Sequence, residues 1–160
     1  MNSASSLKIA GITKLPTTSY VISATARNGS NLLCDALTHT NVLGKPGEFF
    51  LRWYREVQQP KRFKAEQQRQ QKPGDAEHLR TVIDHAATPN GVLGMKVMWN
   101  QLDIMVNKLQ PFSGFRKHPA AIFSTIFPNL HYIFLKREDK VRQAVSMTKA
   151  IQSGKWIAVQ

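Results

Sequence analysis

The chain has 160 residues, of which 42% are hydrophobic, 20% charged and 9% aromatic; this composition suits one compact α/β or α+β domain and excludes the disordered, collagenous and coiled-coil classes. Lys and Arg number 22 against 10 Asp and Glu, a formal net charge of +12, which points to an anionic partner. The single cysteine, Cys34, forms no internal disulfide and no metal cluster, so a stapled secreted scaffold and a structural zinc module fall away and a reducing cytoplasm is the expected compartment.

No apolar run approaches the roughly 18 residues of a membrane helix, and the lead-in MNSASSLKIAGITKLP lacks the apolar centre of a secretory signal. After Pro16 the run Tyr20–Thr25 is β-prone and mostly apolar, as a buried strand should be. It passes into Arg27-Asn28-Gly29-Ser30-Asn31, after which Leu32, Leu33, Ala36 and Leu37 follow at helical spacing, with Ser30 or Asn31 placed to cap that helix. Asn41–Phe50 holds Gly44, Pro46 and Gly47 before Glu48-Phe49-Phe50, and reads as a loop returning across the sheet edge. From Gln58 to Pro73 the composition turns to Gln, Lys and Arg with little apolar content beyond Phe63, which predicts an exposed, poorly ordered insertion.

Asp75 is placed to cap a helix whose apolar face is Ala76, Leu79, Val82, Ile83 and Ala86. Val92–Trp99 is a second short strand interrupted by Lys96, followed by Leu102, Met105, Val106 and Leu109 at helical spacing. Pro119 opens a short apolar helix through Phe127, His131–Leu135 reads as a third strand, and a last helix starts at Glu138-Asp139 and stops at Gly154. Strand-then-helix order, repeated, predicts an α/β fold with a parallel sheet covered by helices on both faces.

Ligands of such a sheet bind beyond the carboxyl ends of the strands. The first strand end has the layout of a phosphate cradle: Gly29 permits close backbone approach, the helix dipole points its positive end there, and Arg27 adds a full charge. It is not a nucleotide-triphosphatase loop, because Gly29 is followed by Ser30 and Asn31 rather than by the Lys-Ser/Thr pair that serves Mg-ATP. For a lone motif the plainer reading, a turn and a helix cap, is favoured. Arg137 ends the third strand and Ser146 lies in the helix beyond it, so an arginine fork and a hydroxyl are available for a second phosphate; taken alone, Arg137 is a solvated charge.

The segments YVISATARNGSNLLCDAL, GKPGEFF, TPNGVLGMKVMWNQL and LKREDKVRQAVSMTKAIQSGKW together resemble the bacterial trehalose 2-sulfotransferase-like family, within the wider sulfotransferases that use 3′-phosphoadenosine 5′-phosphosulfate. The resemblance runs from about Tyr20 to Trp156 in the family's own order. It implies a P-loop-like architecture in which Arg27, Asn28, Gly29, Ser30 and Asn31 wrap the 5′-phosphosulfate, while Arg137 and Ser146 take the 3′-phosphate. No metal is then required, since a monoanionic sulfuryl end needs less neutralisation than ATP. Glu48 matches the family's acidic general base, and Lys96 matches a lysine of its GxKxMW segment, placed to stabilise charge on the sulfuryl or bridging oxygens. Without the resemblance, Glu48 reads as a solvated loop carboxylate and Lys96 equally as a strand-end lysine snorkelling to water.

Trp99 reads as core rather than as a sugar-stacking surface. The five histidines, His39, His78, His85, His118 and His131, show no metal-ligand spacing and read as surface or turn residues. Asn28 departs from the family, which tends to place a small residue, usually serine, after the loop arginine. Family members also continue beyond the last helix, so this chain, ending at Gln160, is expected to be the N-terminal part of a sulfotransferase domain, incomplete at the C-terminus. Apolar edges left bare would favour self-association, and a homodimer is in keeping with the family. The expected partner is a small carbohydrate acceptor. Two other readings stay open: a non-catalytic module that binds a 3′,5′-bisphosphate nucleotide, and, with no nucleic-acid motif to support it, a basic polyanion-binding protein.

Overall fold

A computed structural model of the protein describes residues 14–70, 73–114 and 118–156. The lead-in up to residue 13, whose reading as a non-signal stretch rests on sequence, lies outside the described residues, as do the last two polar residues of the Gln-rich stretch before Pro73. In chain order the elements are β1 (Thr18–Ala24), α1 (Ser30–His39), α2 (Leu51–Gln58), α3 (Pro60–Gln70), α4 (Asp75–Ala86), β2 (Val92–Met98), α5 (Leu102–Leu109), α6 (Pro119–Ile126), β3 (Leu130–Phe134) and α7 (Lys140–Ser153). A short 3₁₀ turn, Trp99–Gln101, joins β2 to α5, and another, Gln110–Ser113, follows α5. The fold is α/β.

The strands form one parallel sheet in the order β2-β1-β3. β1 is central, which is why Tyr20, Val21 and Ile22 are consecutively buried instead of alternating with polar residues. Val21, Leu93, Met95 and Val97 face a large core built from α4, α5 and α6 with Phe50 and Trp53. Tyr20, Ile22 and Cys34 form a smaller core with Leu33 and Leu37 of α1 on the other face. Burial pushes the Cys34 thiol up from its ordinary value, so it is a packed apolar group rather than a reactive one.

Helical cover on both faces holds for β1 and β2 but not for β3. There Tyr132 and Phe134 are 64% and 72% exposed, in line with the bare apolar edge expected of a sheet that stops at its third strand. Two expected caps are also displaced. Gly29, at φ 91, is the N-cap of α1 and makes no side-chain bond; Asn28 Oδ1 accepts the Ser30 N–H at 3.1 Å instead. Gly74 is the N-cap of α4, and the Asp75 carboxylate, part-buried, instead accepts from Trp53 Nε1 at 2.8 Å and from Lys108 Nζ at 3.0 Å.

The Gln-rich stretch expected to be poorly ordered is helical over Pro60–Gln70. Phe63 is 5% exposed and lies under the Arg52 guanidinium, 5.9 Å from ring centroid to Cζ; this one anchor is enough to dock a helix whose remaining residues are good helix formers.

The connection from α1 to α2 decides where the site falls. It runs between the end of α4 and the free edge of β2, with Lys45 N donating to Ala86 O of the helix and Lys96 N of the strand donating to Gly47 O, both at 2.9 Å. Contact this close is possible because two glycines face each other: a Cβ on Gly44, which has φ +75, would stand 2.5 Å from Gly94 N. The Tyr20 ring crosses over Gly94 so that its hydroxyl donates to Leu43 O at 2.6 Å, and burial pushes that phenol up to about 12, which keeps it a donor. A Cβ on Gly94 would meet Tyr20 Oη at 2.4 Å. Gly94→Ala is therefore expected to lift the loop from β2 and to lower stability by about 1–3 kcal/mol in denaturant unfolding.

Candidate functional site

Two polar clusters form where the parallel strands end. The first is built on the β1–α1 turn. Arg27 and Gly29 both adopt left-handed backbone, at φ 63 and φ 91; glycine does so freely, and arginine is held there by its side chain. Arg27 Nε donates to Ser146 Oγ at 2.8 Å and Nη1 to the Trp156 carbonyl at 2.5 Å. Arg137 Nη1 donates to the Arg27 carbonyl at 3.2 Å. Asn28 is 8% exposed, and its Nδ2 donates to Leu135 O at 2.7 Å; the amide at this position therefore ties the turn to the end of β3, a bond that serine is too short to copy.

Arg27, Arg137 and Ser146 thus stand together, drawn from three elements. No ion pair among the described residues uses either arginine, so their charge is not neutralised internally. A Cβ built on Gly29 meets nothing within 4 Å; the turn opens onto free space. The helix that supplies Ser146 also supplies Gln143, whose Nε2 donates to Ala26 O at 2.7 Å. Gln143 was not singled out from sequence, although its spacing of three from Ser146 puts both on one helical face.

The second cluster is built on β2. Ile22 pairs with Lys96, which places the lysine on the α1 face of the sheet. There Lys96 Nζ donates to Asn31 Oδ1 at 2.7 Å and pairs with Glu48 Oε2 at 3.0 Å. The lysine side chain is 8% exposed and that of Glu48 26%. Lys96 is buried and paired instead of reaching water, and Glu48, still partly exposed, is its partner. Asn31, freed from capping, bridges the turn to the lysine. Gln101 Nε2 donates to Glu48 Oε1 at 2.6 Å, a contact no periodicity signals.

Trp99 is 69% exposed, not core as expected, because β3 and its flank leave that side open. With Phe134, Ser23, Ala24 and Thr25 it lines a cleft of about 310 Å³ beside the β1–α1 turn. His78 is likewise not a surface residue. Its Nε2 donates to Phe49 O at 3.1 Å, and its ring meets Trp53 edge-on at 5.3 Å, which pins the segment just after Glu48. Among the described residues no group of three or more His, Cys, Asp or Glu is arranged to hold a metal ion, and no helix is long and apolar enough to cross a membrane.

The parallel α/β sheet thus carries a left-handed glycine turn, a pair of arginines and a lysine-paired carboxylate toward its strand ends. The chain belongs to the Stf0 sulphotransferase family, whose model matches residues 19–159. It is 31% identical to the trehalose 2-sulfotransferase of Mycolicibacterium smegmatis over 87% of this chain and 59% of that protein. It is 30% identical to the trehalose 2-sulfotransferase of Mycobacterium tuberculosis over 86% of this chain and 58% of that protein. The chain therefore spans somewhat under three fifths of the curated relatives it matches.

Burial lowers the His78 pKa, with the nearby Arg52 charge adding to it. An unfolded histidine, titrating near its ordinary value of about 6.5, takes up a proton that the folded site refuses. Its stabilising contribution is complete above that value and is lost as pH falls through the lowered folded one. The thermal midpoint should fall between about pH 7 and pH 5, and fall less steeply in His78→Gln; equal slopes would remove His78 as the cause.

Proposed function

We propose that this chain carries the donor site and general base of a sulfotransferase that moves a sulfuryl group from 3′-phosphoadenosine 5′-phosphosulfate to a carbohydrate hydroxyl. The observation that carries the reading is the Asn31–Lys96–Glu48 cluster, in which one buried lysine joins the turn that would hold the sulfuryl end to the carboxylate that would take the proton. Arg27, Asn28, Gly29, Ser30 and Asn31 wrap the 5′-phosphosulfate, using the open space before Gly29. Arg137 and Ser146 receive the 3′-phosphate, with Arg27 close enough to Ser146 to serve both ends.

Glu48 removes the acceptor hydroxyl proton as the oxygen attacks sulfur in line. The sulfur–oxygen bond to the 5′-phosphate breaks, and adenosine 3′,5′-bisphosphate leaves. Lys96 keeps one charge-assisted contact available for the oxygens that gain negative charge. The acceptor class rests on the relatives, named for trehalose, and on the exposed Trp99 and Phe134 rings beside the turn, a surface suited to the apolar face of a sugar.

A second reading is favoured by the bare face of β3: the chain binds the bisphosphate nucleotide without transferring a sulfuryl group. Calorimetric titration with adenosine 3′,5′-bisphosphate, with ATP as control, combined with turnover assays on sugar acceptors, separates the two. For the transferase reading, Glu48→Gln should lower kcat by about 10²-fold or more while bisphosphate affinity changes by no more than a factor of about two. A fully active variant removes Glu48 as base; bisphosphate binding by a chain without turnover selects the second reading.

A further inference from the structure

Gln101 is 3% exposed, and its amide is only half satisfied. Nε2 donates to Glu48 Oε1 at 2.6 Å, while its own Oε1 is buried without a partner among the described residues. A buried amide ordinarily satisfies both ends, and an orphaned acceptor costs stability. Turning the amide over would set its oxygen against a carboxylate oxygen at the same short distance, so the charge on Glu48 dictates the orientation that leaves Oε1 unpaired. An apolar side chain of similar volume would fill this position without that cost.

The two carboxylate oxygens of Glu48 are held from different directions. Lys96 takes Oε2 from within β2, and Gln101 takes Oε1 from the 3₁₀ turn that continues the same strand. A carboxylate on a loop otherwise has rotamer freedom, and two contacts from one rigid strand-and-turn unit remove it. The amide adds this hold without adding a second positive charge beside the lone pairs that must accept a proton.

We infer that Gln101 is a positioning residue for proton removal: it aims the Glu48 carboxylate, and the fold tolerates an unsatisfied buried acceptor to keep it there. This inference rests on the reading of Glu48 as the base. Gln101→Met should lower kcat by about 10- to 100-fold with the KM for donor and acceptor unchanged, while the thermal midpoint stays level or rises because the orphaned acceptor is gone. An unchanged kcat overturns the inference, and so does a kcat that falls together with the thermal midpoint, which marks a merely structural residue. The ¹⁵N–¹H spectrum of the wild-type chain supplies a readout that needs no turnover. One Gln101 side-chain amide proton should resonate downfield and lose that shift in Glu48→Ala; indifference to Glu48 overturns the inference whether or not the chain transfers sulfate. Full activity of Glu48→Gln with the downfield amide intact would instead remove the base reading and leave the contact standing.

Discussion

A lysine ammonium inside a strand that is covered on both faces is the constraint from which the site follows. Lys96 lies in β2 with its side chain 8% exposed, and an unpaired charge there would be strongly destabilising. The chain meets this demand with two partners, Asn31 at the start of α1 and Glu48 in the α1–α2 connection. Supplying Glu48 requires that connection to lie directly on β2. Such proximity requires that neither Gly44 nor Gly94 carry a Cβ, and the Tyr20 hydroxyl clamps the segment from across the sheet. Glycine placement, loop path and the buried ion pair are therefore one solution to one electrostatic problem. The ion pair that removes the cost of burying Lys96 is the same contact that brings the loop carboxylate to the strand ends.

The arginine cluster obeys the opposite logic. Among the described residues, Arg27 and Arg137 are bonded only to a hydroxyl and to carbonyls, groups that orient a guanidinium without cancelling its charge. α7 is attached to the β1–α1 turn by Ser146 and Gln143, contacts spanning more than a hundred residues of sequence. Preorganised but unneutralised cations suit an anionic ligand, since the cost of assembling the like charges is met during folding rather than on binding.

Features set by local rules were legible in the sequence. The strand read as Tyr20–Thr25 is Thr18–Ala24, the one read as His131–Leu135 is Leu130–Phe134, and Asp139 and Gly154 bound the last helix as expected. The errors arise where a tertiary partner decides. Asp75 left its capping role because Trp53 Nε1 and Lys108 offered buried donors. Trp99 is exposed because no described residue covers that end of the sheet, which an aromatic at the end of a strand cannot reveal by itself. Among the described side chains of the helix over Pro60–Gln70, Phe63 is the buried one, too little to produce a periodicity. Glu48 and Lys96 were selected by resemblance to a family, and their contact needs a path between distant segments that neither spacing nor composition encodes. Gln101 was passed over because a buried amide beside a carboxylate reads in sequence as one more polar residue after a strand.

The two clusters differ in how their charges are balanced, and this difference orders the site. At one end Lys96 and Glu48 neutralise each other; at the other, Arg27 and Arg137 are left positive. On the proposed reading, an anionic donor would be drawn most strongly to the β1–α1 turn and the start of α7, with its leaving phosphate at the cationic end. The Lys96–Glu48 pair, nearly neutral, leaves a neutral hydroxyl compound free to approach without an electrostatic penalty. On that reading, charge asymmetry across a few residues would separate a place for a polyanion from a place for an uncharged polar molecule. The chain's net charge of +12 adds a long-range attraction for anions to the local one made by the two arginines.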